Sequence, residues 1–229
     1  GGGALVGQWL GMIILKTPEE IEVMAKASKL VAETLQFLKP RVRPGVATDE
    51  LDRLAEEFIR TRGGKPAFKG YRSYPKTLCI SVNDQVVHGI PSKRTLKEGD
   101  IVGLDLGAIV EGFYGDSAMT VAVGTIDAKA AELLRVTEAA LYAGIEQAIV
   151  GNRLSDISHA VQERAESAGF SVVTDFVGHG IGRQLHEEPQ VPNYGKPGQG
   201  PRLQVGMVLA IEPMVNMGKS DVRVLDDQW

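Results

Sequence analysis

One cysteine, two tryptophans and four histidines in 229 residues leave little from which a disulfide scaffold or a histidine-rich tract could be built. The lone Cys79 excludes an internal disulfide framework and fits a reducing compartment, so the cytoplasm is the expected location. No run of Lys or Arg is long enough to serve as a phosphate-backbone footprint. With a net charge of -4 and a pI of about 5.7, nucleic acid is not an expected ligand. No apolar run is long enough to span a bilayer. The most apolar stretch, Ala4 to Leu15, is broken by Gly7, Gln8 and Gly11 and lacks a basic flank, so neither a membrane anchor nor a secretory signal is read there. Gly1 to Gly11 are set aside as a fusion remnant, with Met12 as a natural start. The chain is 43% hydrophobic, enough for a sizeable core in one large domain or two small ones.

Thr17-Pro18-Glu19-Glu20 reads as an N-cap, a proline at the first helical position and a capping-box glutamate. Ile21, Met24, Ser28, Val31, Leu35 and Leu38 then follow at alternating spacings of three and four. Pro40, Pro44 and Gly45 stop that helix. Thr48 is expected to cap a second, with Leu51, Leu54, Ala55, Phe58 and Ile59 inward and Gly63-Gly64 at its end. A similar pair recurs over 127–150 and 155–168. Gly45 and Gly151, Gly63 and Gly169, Leu51 and Ile157, and Ala55 and Val161 are all 106 residues apart, and Gly99 to Asp105 resembles Gly206 to Glu212 at a shift of 107. Each half therefore reads as two helices followed by strands, with a carboxylate at the same place, an internal repeat of α+β type. Asn193 to Pro201 is a loop by its Gly and Pro content, and its Gly-Lys has none of the spacing of a phosphate loop.

Residues 178–189 hold two of the four histidines between glycines. Gly178, Gly180 and Gly182 each cost about 1 kcal/mol against helix, so a strand running into a loop is expected, with glycines that let backbone approach closely. His179 and His186 then offer imidazoles to a metal or protons to a substrate; a tight turn carrying two surface histidines fits the same stretch. Ile101 to Leu106 and Phe113 to Val123 read as antiparallel strands. A pairing centred between Val110 and Glu111 sets Asp105 opposite Asp116, where two like charges repel unless a cation lies between them; a bulge would separate their faces instead. Glu212 ends an apolar run, where an unpaired carboxylate is costly to bury. Two aspartates, a glutamate and a histidine form a mostly hard ligand set, suited to Mn, Fe or Co more than to a closed structural zinc. A paired-metal hydrolytic centre is the chemistry such a set supports. His88 lies at the end of an apolar stretch before a turn, and His159, in the fourth helix, is given no role.

Asn83 to Pro91, Asp105-x-Gly107 with Gly112 and Asp116, Gly178 to Pro189, and Ile211-Glu212-Pro213-Met214 together resemble the type I methionine aminopeptidases of the bacterial kind, from about Met12 to Trp229. The resemblance implies the duplicated two-helix-plus-antiparallel-sheet "pita bread" fold, in halves of about 12–123 and 124–229. It implies Asp105, Asp116, His179 and Glu212 as ligands of divalent metal (Co, Mn, Fe or Zn), with Asp116 bridging. Glu212 would take the proton of the attacking water, while His88 and His186 contact the scissile amide. Phe68, Tyr71, Tyr74, Cys79, Leu185 and Trp229 fall where the family lines its methionine pocket, although Leu185 replaces a phenylalanine. The substrates implied are nascent polypeptide N-termini, with encounter at the ribosome left open. The family's fifth ligand, a second bridging glutamate, comes from a strand beyond the tryptophan that here is Trp229. On that ground the chain is expected to lack the last strands and to hold one tightly bound metal or none. Its exposed sheet edge invites self-association, where the family is monomeric. The alternatives are an X-Pro peptidase of the same fold and an inactive, non-catalytic binding form. Against the X-Pro peptidase, Asp116-Ser117-Ala118-Met119-Thr120 lacks the Thr-Arg expected after that aspartate.

Overall fold

The computed structural model describes residues 13–83 and 89–216, which divide into two compact units, 22–131 and 132–216 together with 13–21. None of the described helices is long and apolar enough to cross a membrane.

The capping box forms as its residues predict: the Thr17 amide donates to Glu20 Oε1 at 3.0 Å, and the Glu20 amide to Thr17 Oγ1 at 3.1 Å. It opens α1 (Pro18–Leu38), whose buried face is Met24, Ala27, Leu30, Val31, Thr34, Leu35 and Leu38. Ile21 and Ser28, expected inward, are exposed. The stripe turns toward Ala27 because α1 lies against a glycine: a Cβ on Gly115 would stand 2.7 Å from the Ala27 carbonyl carbon and 2.8 Å from the Ser28 nitrogen. In α2 (Thr48–Thr61) the N-cap is Ala47, and Thr48 does not cap. Its hydroxyl is used elsewhere, accepting from the Ser92 amide at 2.8 Å and donating to the Ser92 carbonyl at 3.1 Å. Leu51, Ala55 and Ile59 are buried as expected, while Leu54 and Phe58 are only partly covered.

These two helices pack on a four-stranded antiparallel sheet of β1 (Lys65–Pro66), β2 (Leu78–Val82), β3 (Ile101–Val110) and β4 (Phe113–Ala122), with β3 paired to each of the others. Leu30, Val31, Leu35, Leu51, Ala55 and Ile59 meet Leu78, Ile80, Val102, Leu104 and Leu106 in one core. The β3–β4 turn is Glu111-Gly112, both at positive φ (50° and 83°), the backbone that best matches the twist of a two-residue hairpin. The pairing is therefore centred between Glu111 and Gly112, one place later than the sequence suggested, because glycine takes the left-handed second position without strain. Asp105 faces Ala118 and Asp116 faces Gly107.

The second unit contains most of α3 (Ala128–Glu146), α4 (Leu154–Ser167) and five short strands, β5 (Ser171–Val172), β6 (Gly178–Gly180), β7 (Glu187–Val191), β8 (Leu209–Ala210) and β9 (Val215–Asn216). β6 lies between β7 and β8, and β5 pairs β9. Asp127 caps α3 by accepting from the Ala130 amide at 2.7 Å, and the helix stops at Glu146, short of the expected Val150. The internal repeat is visible in the backbone. The ends of α2 and α4 and of β1 and β5 are all 106 residues apart. Gly45 and Gly151 have φ of 90° and 97°, Gly63 and Gly169 83° and 86°, Gly99 and Gly206 90° and 96°. The bridge Ala47 to Thr95 in one unit has its counterpart in Arg153 to Arg202 in the other.

Gly115 is the point where backbone meets backbone. Gly115→Val is expected to lower the unfolding free energy by about 1–3 kcal/mol through overpacking, measured by urea denaturation. A variant as stable as the parent would show that α1 withdraws from β4 at no cost.

Candidate metal centre

In the first unit the sheet sets two carboxylates on one face. Opposite residues of an antiparallel pair share a face, so Asp105, opposite Ala118, and Asp116, two places along β4, are diagonal neighbours. Such neighbours lie about 7–8 Å apart at the backbone, within reach of one another through their side chains. The direct opposition read from sequence is thus replaced by a diagonal, and the shared face is retained.

Cys79 stands directly across β2–β3 from Asp105. Burial, and then the charge of Asp105, push its thiol well above the ordinary range, the Tyr74 hydroxyl pulling the other way and Asp116 adding a further upward push. The Tyr74 hydroxyl is likewise raised, by burial first and by Cys79 next, and it donates to the Leu78 carbonyl at 2.7 Å. Both groups stay protonated at neutral pH, so the wall beside Asp105 is soft, aromatic and uncharged. Phe68 joins it: its ring edge would lie 3.0 Å from a Cβ on Gly107, the residue opposite Asp116. Tyr71 is half-buried in the intervening turn, whose Arg72 and Ser73 both have positive φ. The chain leading from this turn into β2 is held by Asp52, a buried carboxylate on α2 that accepts from the Thr77 and Leu78 amides at 2.9 and 2.8 Å. Burial raises the Asp52 pKa and those two N–H groups oppose the rise.

In the second unit β6 carries His179. Gly178 and Gly180 flank it because a Cβ at either would run into a neighbouring carbonyl oxygen, that of Ala210 on β8 or of Glu188 on β7. His179 is buried, with Nδ1 2.8 Å from the Gly180 carbonyl oxygen. A carbonyl only accepts, so Nδ1 carries the hydrogen, and in the neutral ring Nε2 presents its lone pair. That lone pair faces Glu212 Oε1 at 3.4 Å. Two such groups turned toward each other share either a proton or a cation. The His186 ring lies edge-on to the His179 ring, centroids 4.3 Å apart, and Leu185 beside it is buried. Asn193, also buried, donates to the backbone carbonyl of Glu212 at 2.9 Å and so fixes the main chain from which that carboxylate projects.

The structure thus places Asp105, Asp116, Phe68, Tyr74 and Cys79 close together in one unit, and His179, His186 and Glu212 close together in the other. His88 and Trp229 lie outside the described residues. Asp52 and Asn193 were missed by sequence reasoning. Asp52 reads as a surface residue in a charged helix, and Asn193 as loop composition; only their long-range backbone partners reveal them. His159 takes a structural place, its Nδ1 3.1 Å from the Gly195 carbonyl.

Comparison with known proteins places these residues in a context. The model of metallopeptidase family M24 matches residues 22–228. The chain is 57% identical over 218 residues to a methionine aminopeptidase of Clostridium perfringens, and 52% identical over 218 residues to methionine aminopeptidase 1 of Bacillus subtilis, covering in each case 95% of this chain and 88% of the relative. Among solved structures, a methionine aminopeptidase from Thermotoga maritima superposes with a TM-score of 0.93 at 50% identity, covering 95% of this chain and 88% of that one. A prolidase from Pyrococcus furiosus superposes with a TM-score of 0.78 at 26% identity, covering 89% of this chain and 58% of that one. The fold is the duplicated pita-bread fold of these enzymes.

Asn193→Ala leaves every carboxylate and imidazole in place but removes the donor to the Glu212 carbonyl. It is expected to destabilise the chain by about 1–3 kcal/mol, the cost of stranding a buried acceptor, and to weaken binding of Mn measured by isothermal titration. Unchanged metal affinity would show that Glu212 is held without Asn193.

Proposed function

The chain belongs to metallopeptidase family M24, within its methionine aminopeptidases, and from that membership we propose that it removes the N-terminal methionine of polypeptides by metal-assisted hydrolysis. The observation that carries the reading is the His179–Glu212 pair, an imidazole with its lone pair held toward a carboxylate in a chain 57% identical to a methionine aminopeptidase.

Asp105, Asp116, His179 and Glu212 are the residues proposed to hold divalent metal, and their chemistry fits it: three carboxylates and one imidazole whose hydrogen is committed elsewhere. When bound, such a cation lowers the pKa of water and draws charge from a carbonyl oxygen. The remaining work falls to the chain. Glu212 accepts the proton of the attacking water, a role that needs a carboxylate within hydrogen-bond reach of that water. His186, packed against His179, is proposed to donate to the carbonyl oxygen as negative charge develops there, a role also proposed for His88, which lies outside the described residues. Phe68, Tyr74 and Cys79 offer the methionine side chain an apolar, polarisable surface, which suits a thioether, and a substrate-contacting role is proposed for Tyr71, Leu185 and Trp229 as well. Protonated Cys79 matters here, since a thiolate would compete for metal and repel Asp105. The substrates proposed are newly made polypeptides in the cytoplasm, a compartment consistent with a single buried cysteine.

An X-Pro peptidase shares the fold, but a prolidase is 26% identical to the chain where the methionine aminopeptidases reach 57%. With Mn or Co supplied, the chain is expected to cleave Met-Ala-Ser faster than any X-Pro peptide and to stop when the metal is chelated. Glu212→Gln is expected to lower kcat by about 10²–10⁴-fold with the fold intact by circular dichroism. Faster turnover of X-Pro substrates would reassign the enzyme to the prolidase side of the family.

A further inference from the structure

Lys16 and Glu187, 171 residues apart, form an ion pair at 2.6 Å with side chains only 3% and 5% exposed. Nothing in the hydrolytic reading uses them, and stability alone is a poor reason to bury such a pair, because removing two charges from water offsets their attraction. What surrounds the pair is closely fitted. A Cβ on Gly182 would stand 2.5 Å from Lys16 Cε and 2.8 Å from Glu187 Oε2, and one on Gly206 would stand 2.7 Å from the Lys16 carbonyl oxygen. The Lys16 amide donates to the Gly206 carbonyl at 2.8 Å, and its ammonium also donates to the Ile14 carbonyl at 3.0 Å.

The two oxygens of Glu187 have separate partners. Oε1 takes the Lys16 ammonium, and Oε2 accepts from the Gln184 amide at 3.2 Å. Gln184 in turn accepts from the Gly182 amide at 3.1 Å, so the turn from 182 to 187 is closed on the carboxylate of Glu187, whose backbone is itself paired with Gly180 on the strand that carries His179. His186 sits inside that closure. A second, exposed tie, Arg183 to Glu20 at 3.5 Å, joins the same turn to the start of α1 and adds little by itself.

We infer that Lys16 and Glu187 are positioning residues for His186: the buried ammonium fixes the Glu187 carboxylate, which closes the turn and holds the imidazole edge-on to His179. The segment 14–16 is on this account part of the machinery of the active site. The inference rests on the aminopeptidase reading for what His186 does, but not for where it is held.

The test uses the full chain loaded with Mn and the peptide Met-Ala-Ser. Lys16→Met is expected to lower kcat about 10²-fold, the scale of a displaced catalytic group, with KM within about threefold, since no binding group is removed. Combined with His186→Ala it should cost little beyond His186→Ala alone, because Lys16 acts through that imidazole. Losses that multiply in the double variant overturn the inference. Glu187→Gln covers the case in which Lys16→Met does not fold. It keeps one oxygen for Lys16 but turns an NH2 group on the Gln184 amide, so it breaks the turn while sparing the ammonium's partner. If the unaltered chain cleaves no Met peptide at all, the aminopeptidase reading fails, and amide hydrogen exchange decides the positioning separately. In Glu187→Gln the Gln184 amide must lose protection while the amides of β6 keep theirs, and unchanged exchange at Gln184 overturns the inference.

Discussion

A carboxylate drawn out of water must find N–H donors, a fixed ammonium, a proton or a metal ion, and the architecture of this chain follows from how it meets that demand. Asp52 is met by two backbone amides, which ties α2 to the entry of β2. Glu187 is met by a lysine from the start of the chain. Asp105 and Asp116 project from β3 and β4, with a protonated thiol across from Asp105, and Glu212, just beyond β8, faces the His179 imidazole. The first two compensations tie distant parts of the backbone together.

The repeat shows how one frame carries two different groupings of side chains. Matching glycines at nearly matching positive φ set the same bends in both units, and the carboxylates Asp105 and Glu212 fall 107 residues apart, at equivalent places. Beyond those bends the units diverge. One builds long strands around a tight hairpin, which suits two acids on one face. The other uses short strands with glycines on either side of a histidine, which lets three strands close in around an imidazole that a bulkier neighbour would displace.

Much of this was legible in the sequence because it is local or periodic. The Thr17–Glu20 capping box, the stop signals at Gly63 and Gly169, and the 106-residue period all depend on residues close together or on regular spacing. The face of α1 around Ala27 and Ser28 is not legible locally because it is set by contact with Gly115, a residue without a side chain that lies nearly ninety positions away. The hairpin register slipped because Glu111, not only Gly112, adopts a left-handed backbone. Parity survived the slip in the one respect that matters to the site, since a shift of the turn centre by one place changes partners by two and returns each residue to the same face. Asp52, Asn193 and Lys16 were illegible for a common reason: each is an ordinary polar residue whose meaning lies in a partner 19 to 171 positions distant.

The span between Lys16 and Glu187 also sets a timetable. A ribosome adding about 5–20 residues per second exposes Lys16 roughly ten to thirty seconds before its counter-ion exists, and closing so long a loop is among the slower events available to a folding chain. Until then the ammonium stays hydrated, without the carboxylate it is buried against. The order of synthesis therefore delivers the first helix and sheet well before the residues that close the turn around His186.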